Sequence, residues 1–426
     1  MNMSCCFRVA DFIRRSCRRS GIPQLMIGCN IPDKQQRGLI PCSSSLKGYC
    51  NLSDGLESES PGITSRVVNL ANRVEQSVKL NNTWKGRVML IDGTYMIYRA
   101  YYKILARLDR DHYWNADGNG DWVYTISRAL SLILDVLELG PSHVAVVFDH
   151  DGVPLGRASA SFRENYNGKG TNFRHILYPS YKGHRNATPD TVIQGLQYFK
   201  LSLRAMSIPV IQVPGVEADD VIGTLAVNSV ADGFKVRVVS PDRDFFQLIS
   251  PAVRLLRIAS RGSEMVSFGV EEFAERYGDL KPSQFIDMVS LLGDKTDNIP
   301  EVNGIEDADA LKLIIKFGLH IFSGTLENLL KCVDQVEEEC IKKALVSNAD
   351  QAILNKNLLM LRSDLPFHKV PFRTSDLLFR KPKDDGEKFR NLLTAISAYA
   401  EGHSAEHLIR KADNLWKQHT TASYKQ

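Results

Sequence analysis

The chain is poor in the groups that build disulfide frameworks and zinc sites. Of its eight cysteines, Cys5, Cys6, Cys17, Cys29, Cys42 and Cys50 fall in the first fifty residues, leaving Cys332 and Cys340 for the rest. No pair has C-x-x-C spacing. Both kinds of site need Cys or His clustered in the folded part. The distribution argues against each, and the body reads as a reduced, intracellular protein. Long apolar runs are missing too. No window holds about 18 uncharged apolar residues, so no transmembrane helix is expected. Nor is there a strong charge of one sign. The net charge is +4 over 426 residues, and the first fifty carry eight Lys/Arg against Asp11 and Asp33. The remainder is therefore slightly acidic, and contact with nucleic acid would have to come from local basic patches.

What is present is ordinary for a soluble globular protein, with 43% hydrophobic and 24% charged residues. The length suits one large domain or two modest ones. Residues 1–84 differ from the rest of the chain: they hold Arg14-Arg15 and Arg18-Arg19, many serines and few acids before Asp54. Val9 to Ser20 reads as a short basic amphipathic helix. This composition fits a removable mitochondrial or chloroplast transit peptide and lacks the apolar core of a secretory signal. A plain disordered tail is the alternative.

Folded sequence begins at Arg87. Val88 to Asp92 and Val144 to Asp149 are short apolar runs ending in an acid, and Val236 to Ser240 leads to Asp242. Such runs predict buried parallel strands. Helical patterns lie between them, over Val123–Leu139, Pro189–Met206 and Ala218–Val230, so an α/β fold with a covered parallel sheet is expected. Sites in such sheets form beyond the carboxyl ends of the strands, where Asp92, Asp149 and Asp242 stand. From about Phe273 helices dominate: Pro282–Leu292, Asp307–Phe317, Leu326–Lys343, Ser347–Leu361 and Gly386–Tyr399. The expected layout is a catalytic domain over 85–270 and a mostly helical region over 271–426.

Five acidic clusters occur in order: Asp92; Asp149; Glu217, Asp219 and Asp220; Asp242 and Asp244; Asp294 and Asp297. Glu217 to Asp220 opens a helix, where the macrodipole favours carboxylates. Asp294 and Asp297, three apart, would share a face on a helical turn. Any one of these acids alone reads best as a turn or cap residue. Nine converging carboxylates would repel one another unless cations intervened. Oxygen-only ligands favour Mg²⁺, with Mn²⁺ as a substitute, over zinc. Two such ions about 3.5–4 Å apart are the usual device for phosphodiester hydrolysis.

These residues resemble the 5′ nucleases, the family of flap endonucleases and of the N-terminal 5′–3′ exonuclease domain of bacterial DNA polymerase I. The matching motifs are Leu90-Ile91-Asp92-Gly93, Val147-Phe148-Asp149, Phe173-Arg174-His175 with Tyr178 to Lys182 and Arg185, Gly215 to Asp220, Pro241 to Asp244, and Gly293 to Pro300, in the family's order across roughly 87–410. The resemblance implies a PIN-like sheet followed by a helix-hairpin-helix element, and DNA as partner: 5′ ends, flaps and RNA primers on DNA, with no membrane. It implies that Asp92, Asp149, Glu217 and Asp219 hold one metal ion and that Asp242, Asp244 and Asp297 hold another. Asp220 and Asp294 would be close by or act through water. Lys182 and Arg185 would grip the scissile phosphate. Arg174, Tyr181, Tyr98 and Arg99 would contact nucleic acid, Tyr181 at a helical arch over the 5′ strand and Tyr98 by stacking on a terminal base, and Gly304 would offer backbone to a duplex phosphate. Here the chain departs from the pattern, because Glu306-Asp307-Ala308-Asp309 stands where a Gly and a Lys are expected, and acids there repel phosphate. Val153 to Thr171 reads as a basic insertion, and Leu108 to Trp122 departs as well. The end at Gln426 reads as a nuclease without an attached polymerase. The rival readings are a PIN-type ribonuclease and a non-catalytic nucleic-acid-binding relative.

Overall fold

The computed structural model describes residues 84–110, 121–150, 172–259, 264–318 and 325–423. The predicted transit peptide, the basic insertion, and most of the divergent stretch before Trp122 lie outside the described residues.

Six strands form one sheet: β1 (Arg87–Asp92), β2 (His143–Val147), β3 (Val210–Ile211), β4 (Lys235–Val239), β5 (Val253–Ile258) and β6 (Met265–Phe268). Their order is β3-β2-β1-β4-β5-β6, parallel throughout except that β6 runs against β5. β1 and β2 are buried along nearly their whole length. A strand covered on both faces keeps apolar residues at consecutive positions, which is why these segments read as unbroken hydrophobic runs. The register sets Asp92 opposite Val147 and Ile91 opposite Val239. Asp92, Asp149 and Asp242 therefore leave the sheet at one edge.

Five helices accompany the first four strands: α1 (Gly93–Arg110), α2 (Asp121–Leu137), α3 (Phe173–Leu177), α4 (Asp190–Ala205) and α5 (Ala218–Ala231). α5 packs on β1 and β4, while α2 packs on α1 and α4. The helical region comprises α6 (Val270–Tyr277), α7 (Phe285–Leu292), α8 (Asp307–Phe317), α9 (Thr325–Lys331), α10 (Glu339–Ser347), α11 (Ala349–Leu359), α12 (Glu387–Ser397) and α13 (Glu406–Ser423). α7 packs on α11, and the last two helices return to the sheet side, α12 against α4 and α13 against α2. One apolar core runs from Val88 and Val238 in the sheet to Leu326 and Leu359 in the helices.

The single helix expected over Leu326–Lys343 is instead two, α9 and α10, separated by a short 3₁₀ turn at Val333–Gln335. Glu337, Glu338 and Glu339 explain the break. Within a longer helix they would gain nothing from the macrodipole, whereas here Glu338 and Glu339 sit at the amino end of a new one. Gly293 ends α7 at φ +68°, and a Cβ there would lie 2.6 Å from the backbone of Ile299 and Glu301. That close approach folds the next loop back under the sheet edge.

Candidate active site

Each acid is held by the element that delivers it. Asp92 ends β1, where its carboxylate accepts hydrogen bonds from the Tyr95 N–H (2.8 Å) and the Ser240 hydroxyl (3.2 Å). Asp149 accepts from the Ala218 N–H at 2.9 Å, tying the end of β2 to the first turn of α5. Asp242 accepts from the Asp244 N–H at 2.9 Å, and Asp244 opens a 3₁₀ turn ending at Leu248. Gly93 makes the edge compact, since a Cβ there would fall 2.5 Å from the Phe148 ring.

The carboxylates feel one another. Burial, with the charges of Asp149 and Asp242 adding to it, pushes the Asp92 carboxyl up to about 7. Asp219 is raised well above the carboxylate range by burial and by Asp242, Asp92 and Asp149. Burial followed by Asp242, Asp297 and Asp294 does the same to Asp244, and Asp242 is also raised, mainly by burial. Two overlapping groups emerge, Asp92–Asp149–Asp219 and Asp244–Asp294–Asp297, with Asp242 common to both. Among the described residues no three His, Cys, Asp or Glu side chains close around a single point as a finished metal cage. The donor chemistry nevertheless fits hard divalent cations: oxygen donors only, crowded and short of positive charge.

Glu217 and Asp297 are placed differently, because cations already stand beside them. The Lys182 ammonium lies 3.1 Å from Glu217 and 3.5 Å from Asp297, and Arg185 pairs with Asp297. Burial alone would raise Glu217, but Lys182 and Arg174 bring it down to about 2. Lys182 has φ +54°, and its N–H donates to the Asp297 carbonyl at 2.9 Å, so the turn that carries it is locked onto the loop after α7. That loop is a tight turn in which Asp294 accepts from the Thr296 N–H (2.7 Å) and hydroxyl (2.6 Å). The pair lies on this turn and not on a helix: Asp297 is buried, while Asp294 is half-buried and accepts from Thr296.

Three further side chains are engaged within the protein. Asp220 meets donors of the chain itself: its two oxygens accept from the Arg174 guanidinium at 2.7 and 2.8 Å and from the Arg362 N–H at 2.9 Å. Arg174 is only 2% exposed and also donates to the Leu358 and Met360 carbonyls, so it is a strut between α5 and the end of α11. Tyr181 is likewise 2% exposed, its hydroxyl directed at Asp297 (3.0 Å) and Glu217 (3.3 Å), which leaves no ring face for a base. Tyr98 is half-buried, with its hydroxyl donating to Thr188 at 2.9 Å. Arg99 donates to the Ala259 carbonyl. Gly304 is exposed at φ +91° just before α8, whose first turn carries Glu306, Asp307 and Asp309 as helix-dipole partners.

Sequence reasoning missed Ser240 and Asn172. Asn172 caps α3 and donates to Glu217 at 2.6 Å. Its place directly before a short helical stretch was a legible cap signal. Beside Asp149 and Glu217 opens a cavity of about 580 Å³ that Lys182, Arg185, Tyr98 and Tyr102 also line.

The fold and site define an α/β protein with a cluster of acids at the ends of its central strands and an appended helical region. Two family models match in tandem: the 5′–3′ exonuclease N-terminal resolvase-like domain over residues 158–278 and the 5′–3′ exonuclease C-terminal SAM fold over 280–385. Between them they take in more than half of the chain, which belongs to the 5′–3′ exonuclease family. DNA polymerase I of Bacillus caldotenax is 36% identical over 284 residues, covering 66% of this chain and 28% of that one. The thermostable DNA polymerase I of Thermus thermophilus is 33% identical over 283 residues, 66% of this chain and 29% of that one. The chain thus spans less than a third of the length of these curated relatives. A bacteriophage T5 flap endonuclease solved with DNA and metal ions is 19% identical, covering 73% of this chain and 99% of its own, at a TM-score of 0.48, a loose likeness.

Proposed function

We propose that this chain is a divalent-metal-dependent 5′ nuclease that hydrolyses phosphodiester bonds in DNA near a free 5′ end, as a 5′–3′ exonuclease and 5′-flap endonuclease. The observation that carries the reading is the cluster of carboxylates at one sheet edge, raised by burial and mutual repulsion, with Lys182 and Arg185 beside it at the wall of the cavity. Asp92, Asp149, Asp219, Asp242 and Asp244 would hold two Mg²⁺ ions, or Mn²⁺ in their place, with Glu217 and Asp297 completing the set. When bound, such ions supply Lewis acidity toward the phosphate and a more acidic water. Lys182 and Arg185 are positioned to bind the scissile phosphate and to offset the charge that develops on it. Arg185, 39% exposed, is the more accessible of the two. The basic, serine-rich first 84 residues support delivery to a mitochondrion or chloroplast, with primer removal and repair as the role, including RNA primers on DNA.

The test is cleavage of a 5′-flap duplex by the full-length chain in Mg²⁺ and in Mn²⁺, against Asp149→Asn. Asparagine keeps an oxygen for the Ala218 N–H and removes the charge. The expected result is cleavage by the wild type and a loss of at least about 100-fold in the variant, the order seen for removing one group that stabilises developing charge. Binding without cleavage by the wild type in both metals would overturn the reading in favour of a non-catalytic relative.

A further inference from the structure

The helical region reaches the acids through one short segment, the end of α11 and the residues just after it, Asn355 to Arg362. Asn355 is fully buried. Its amide N–H groups donate to the Ser290 carbonyl at 2.9 Å and the Pro300 carbonyl at 2.8 Å, and its oxygen accepts from Gln351 at 2.7 Å. Those two carbonyls bracket residues 291–299, so Asn355 clasps at both ends the loop that carries Asp297. Gln247 stands on the 3₁₀ turn that Asp244 opens. Its amide N–H groups donate to the Asp244 carbonyl at 2.7 Å and the Leu359 carbonyl at 3.4 Å, and its oxygen accepts from the Leu361 N–H at 3.1 Å. α5, which carries Asp219, is tied to the same segment by the Arg174–Asp220 pair and by the Thr224 hydroxyl, which donates to the Arg362 carbonyl at 2.8 Å. Three acid-bearing elements far apart in sequence thus meet eight consecutive residues of the helical region. The Gln247 and Asn355 bonds run to backbone or to another amide, so what they give the acids is placement.

We propose that Gln247 and Asn355 are positioning residues of the acid cluster: by anchoring their loops to the segment Asn355 to Arg362, they set where Asp244 and Asp297 stand relative to the acids of β1 and α5, and with it the affinity for one of the two divalent cations. The inference rests on the nuclease reading and adds residues that touch neither metal nor substrate. Small hard cations demand near-ideal ligand geometry, so a carboxylate whose loop drifts loses hold of the ion. Groups that orient ligands from behind are worth about 10- to 100-fold in metal affinity. A carboxamide suits both places because it donates and accepts at once. Methionine for Gln247 or leucine for Asn355 fills the space and offers neither. Asp92, Asp149 and Asp219 hang from the sheet and from α5, whose tie to the segment is the Arg174–Asp220 pair, so their group should be left intact by either change.

The experiment compares full-length wild type, Gln247→Met, Asn355→Leu and Asn328→Leu. Asn328 is buried and donates to the Phe317 carbonyl at 2.8 Å, joining α9 to the end of α8 and not to an acid-bearing element. Its loss is the control for a buried hydrogen bond without a positioning role. Mn²⁺ binding without DNA is followed by the paramagnetic resonance of the free ion. The melting temperature in EDTA, and kcat and KM for a 5′-flap duplex over a range of Mn²⁺ concentrations, are measured beside it. The wild type should bind two ions. Gln247→Met and Asn355→Leu should each hold one ion as the wild type does and the other about 10- to 100-fold more weakly. Their KM for the flap should be unchanged, and their kcat should recover as Mn²⁺ is raised. Asn328→Leu should melt lower and bind both ions normally. Wild-type affinity for both ions in either Gln247→Met or Asn355→Leu, or an equal loss in Asn328→Leu, overturns the positioning. Should Asn355→Leu fail to fold, Gln247→Met decides by the same comparison. A wild type that binds two ions and cleaves nothing ends the nuclease reading, and the binding curves still decide the positioning. A wild type that binds fewer than two ions ends both.

Discussion

The pair Arg174–Asp220 sets one carboxylate apart from those proposed to hold metal, and its removal has a calculable cost. Arg174→Met keeps most of the aliphatic stem and deletes the charge. Asp220 is then left, 2% exposed, with the Arg362 N–H as its remaining donor in place of three. Breaking a buried pair by removing one partner costs about 3–5 kcal/mol. The carbonyls of Leu358 and Met360 also lose a donor. At roughly 1–3 °C per kcal/mol for a body of this size, the melting temperature should fall by about 3–15 °C. The assay is thermal and urea unfolding of the full chain in EDTA for Arg174→Met, Asp220→Asn and Arg174→Met/Asp220→Leu. The double variant should lose less than the two single changes combined, because neither buried group is left uncompensated. The stabilisation that Mg²⁺ confers should be the same in Asp220→Asn as in the wild type, since both Asp220 oxygens are already engaged. Asp220→Asn that keeps its metal-free stability and loses its response to Mg²⁺ would refute the reasoning and return Asp220 to the ligand set.

Three other outcomes are expected of the site. Gly93→Ala drives a methyl to within 2.5 Å of the Phe148 ring and shifts the residue before Asp149; a stability loss of about 1–3 kcal/mol is expected, with a larger relative drop in cleavage, and a variant indistinguishable in both assays would show the packing to be slack. Lys182→Met removes the ammonium between Glu217 and Asp297. Glu217 titrates at about 2 in the fold against an ordinary 4.5, so it adds stability above about pH 4.5 that is lost as pH falls through 2; the variant should lose about 1–3 kcal/mol at neutral pH and show a flatter acid limb in urea titrations, and an unchanged limb would count against the pairing. Asp92 has the opposite sign. Raised from 3.8 to about 7, it keeps a proton that the unfolded chain releases, so metal-free stability should decline between about pH 4 and pH 7, by at most about 1.4 kcal/mol per unit. Mg²⁺ should then stabilise more at about pH 7.5 than at about pH 5, and equal melting shifts at the two pH values would contradict the protonated carboxyl.

The strands that carry the acids were legible because burial on both faces demands consecutive apolar residues. β3, β5 and β6 were not. β3 pairs over only two residues, and β6 is an edge strand whose Val266 is half exposed, so neither leaves a long hydrophobic run. α8 lies over Asp307–Phe317 as its sequence indicated, since acids open it and Phe317 and Gly318 close it. The convergence of acids could be read from their positions after apolar runs. Their division of labour could not. Asp219 and Asp220 are neighbours in sequence, yet about 100° apart around α5, so one joins the acidic group and the other meets Arg174. Motif spacing likewise says nothing of burial, which is why Arg174 and Tyr181 looked like nucleic-acid contacts. The three-residue spacing of Asp294 and Asp297 suits a helical turn and a tight turn alike, and only the positive φ of Gly293 and Asn298 shows which.

The charge balance of the site indicates where cations are needed. Lys182 and Arg185 stand beside Glu217 and Asp297. Asp92, Asp149 and Asp242 are served by backbone N–H groups and the Ser240 hydroxyl, which orient a carboxylate but carry no full charge. The unmet demand therefore sits at the ends of β1, β2 and β4. Cations bound there would weaken the hold of the acids on Lys182 and Arg185 and leave both free to turn toward an incoming phosphate. It follows that phosphate affinity and metal affinity should be coupled. Adding Mg²⁺ or Ca²⁺ should tighten binding of a non-cleavable flap in the wild type, and the gain should shrink in Lys182→Met. A gain of the same size in that variant would mean that the metal acts on the phosphate without Lys182.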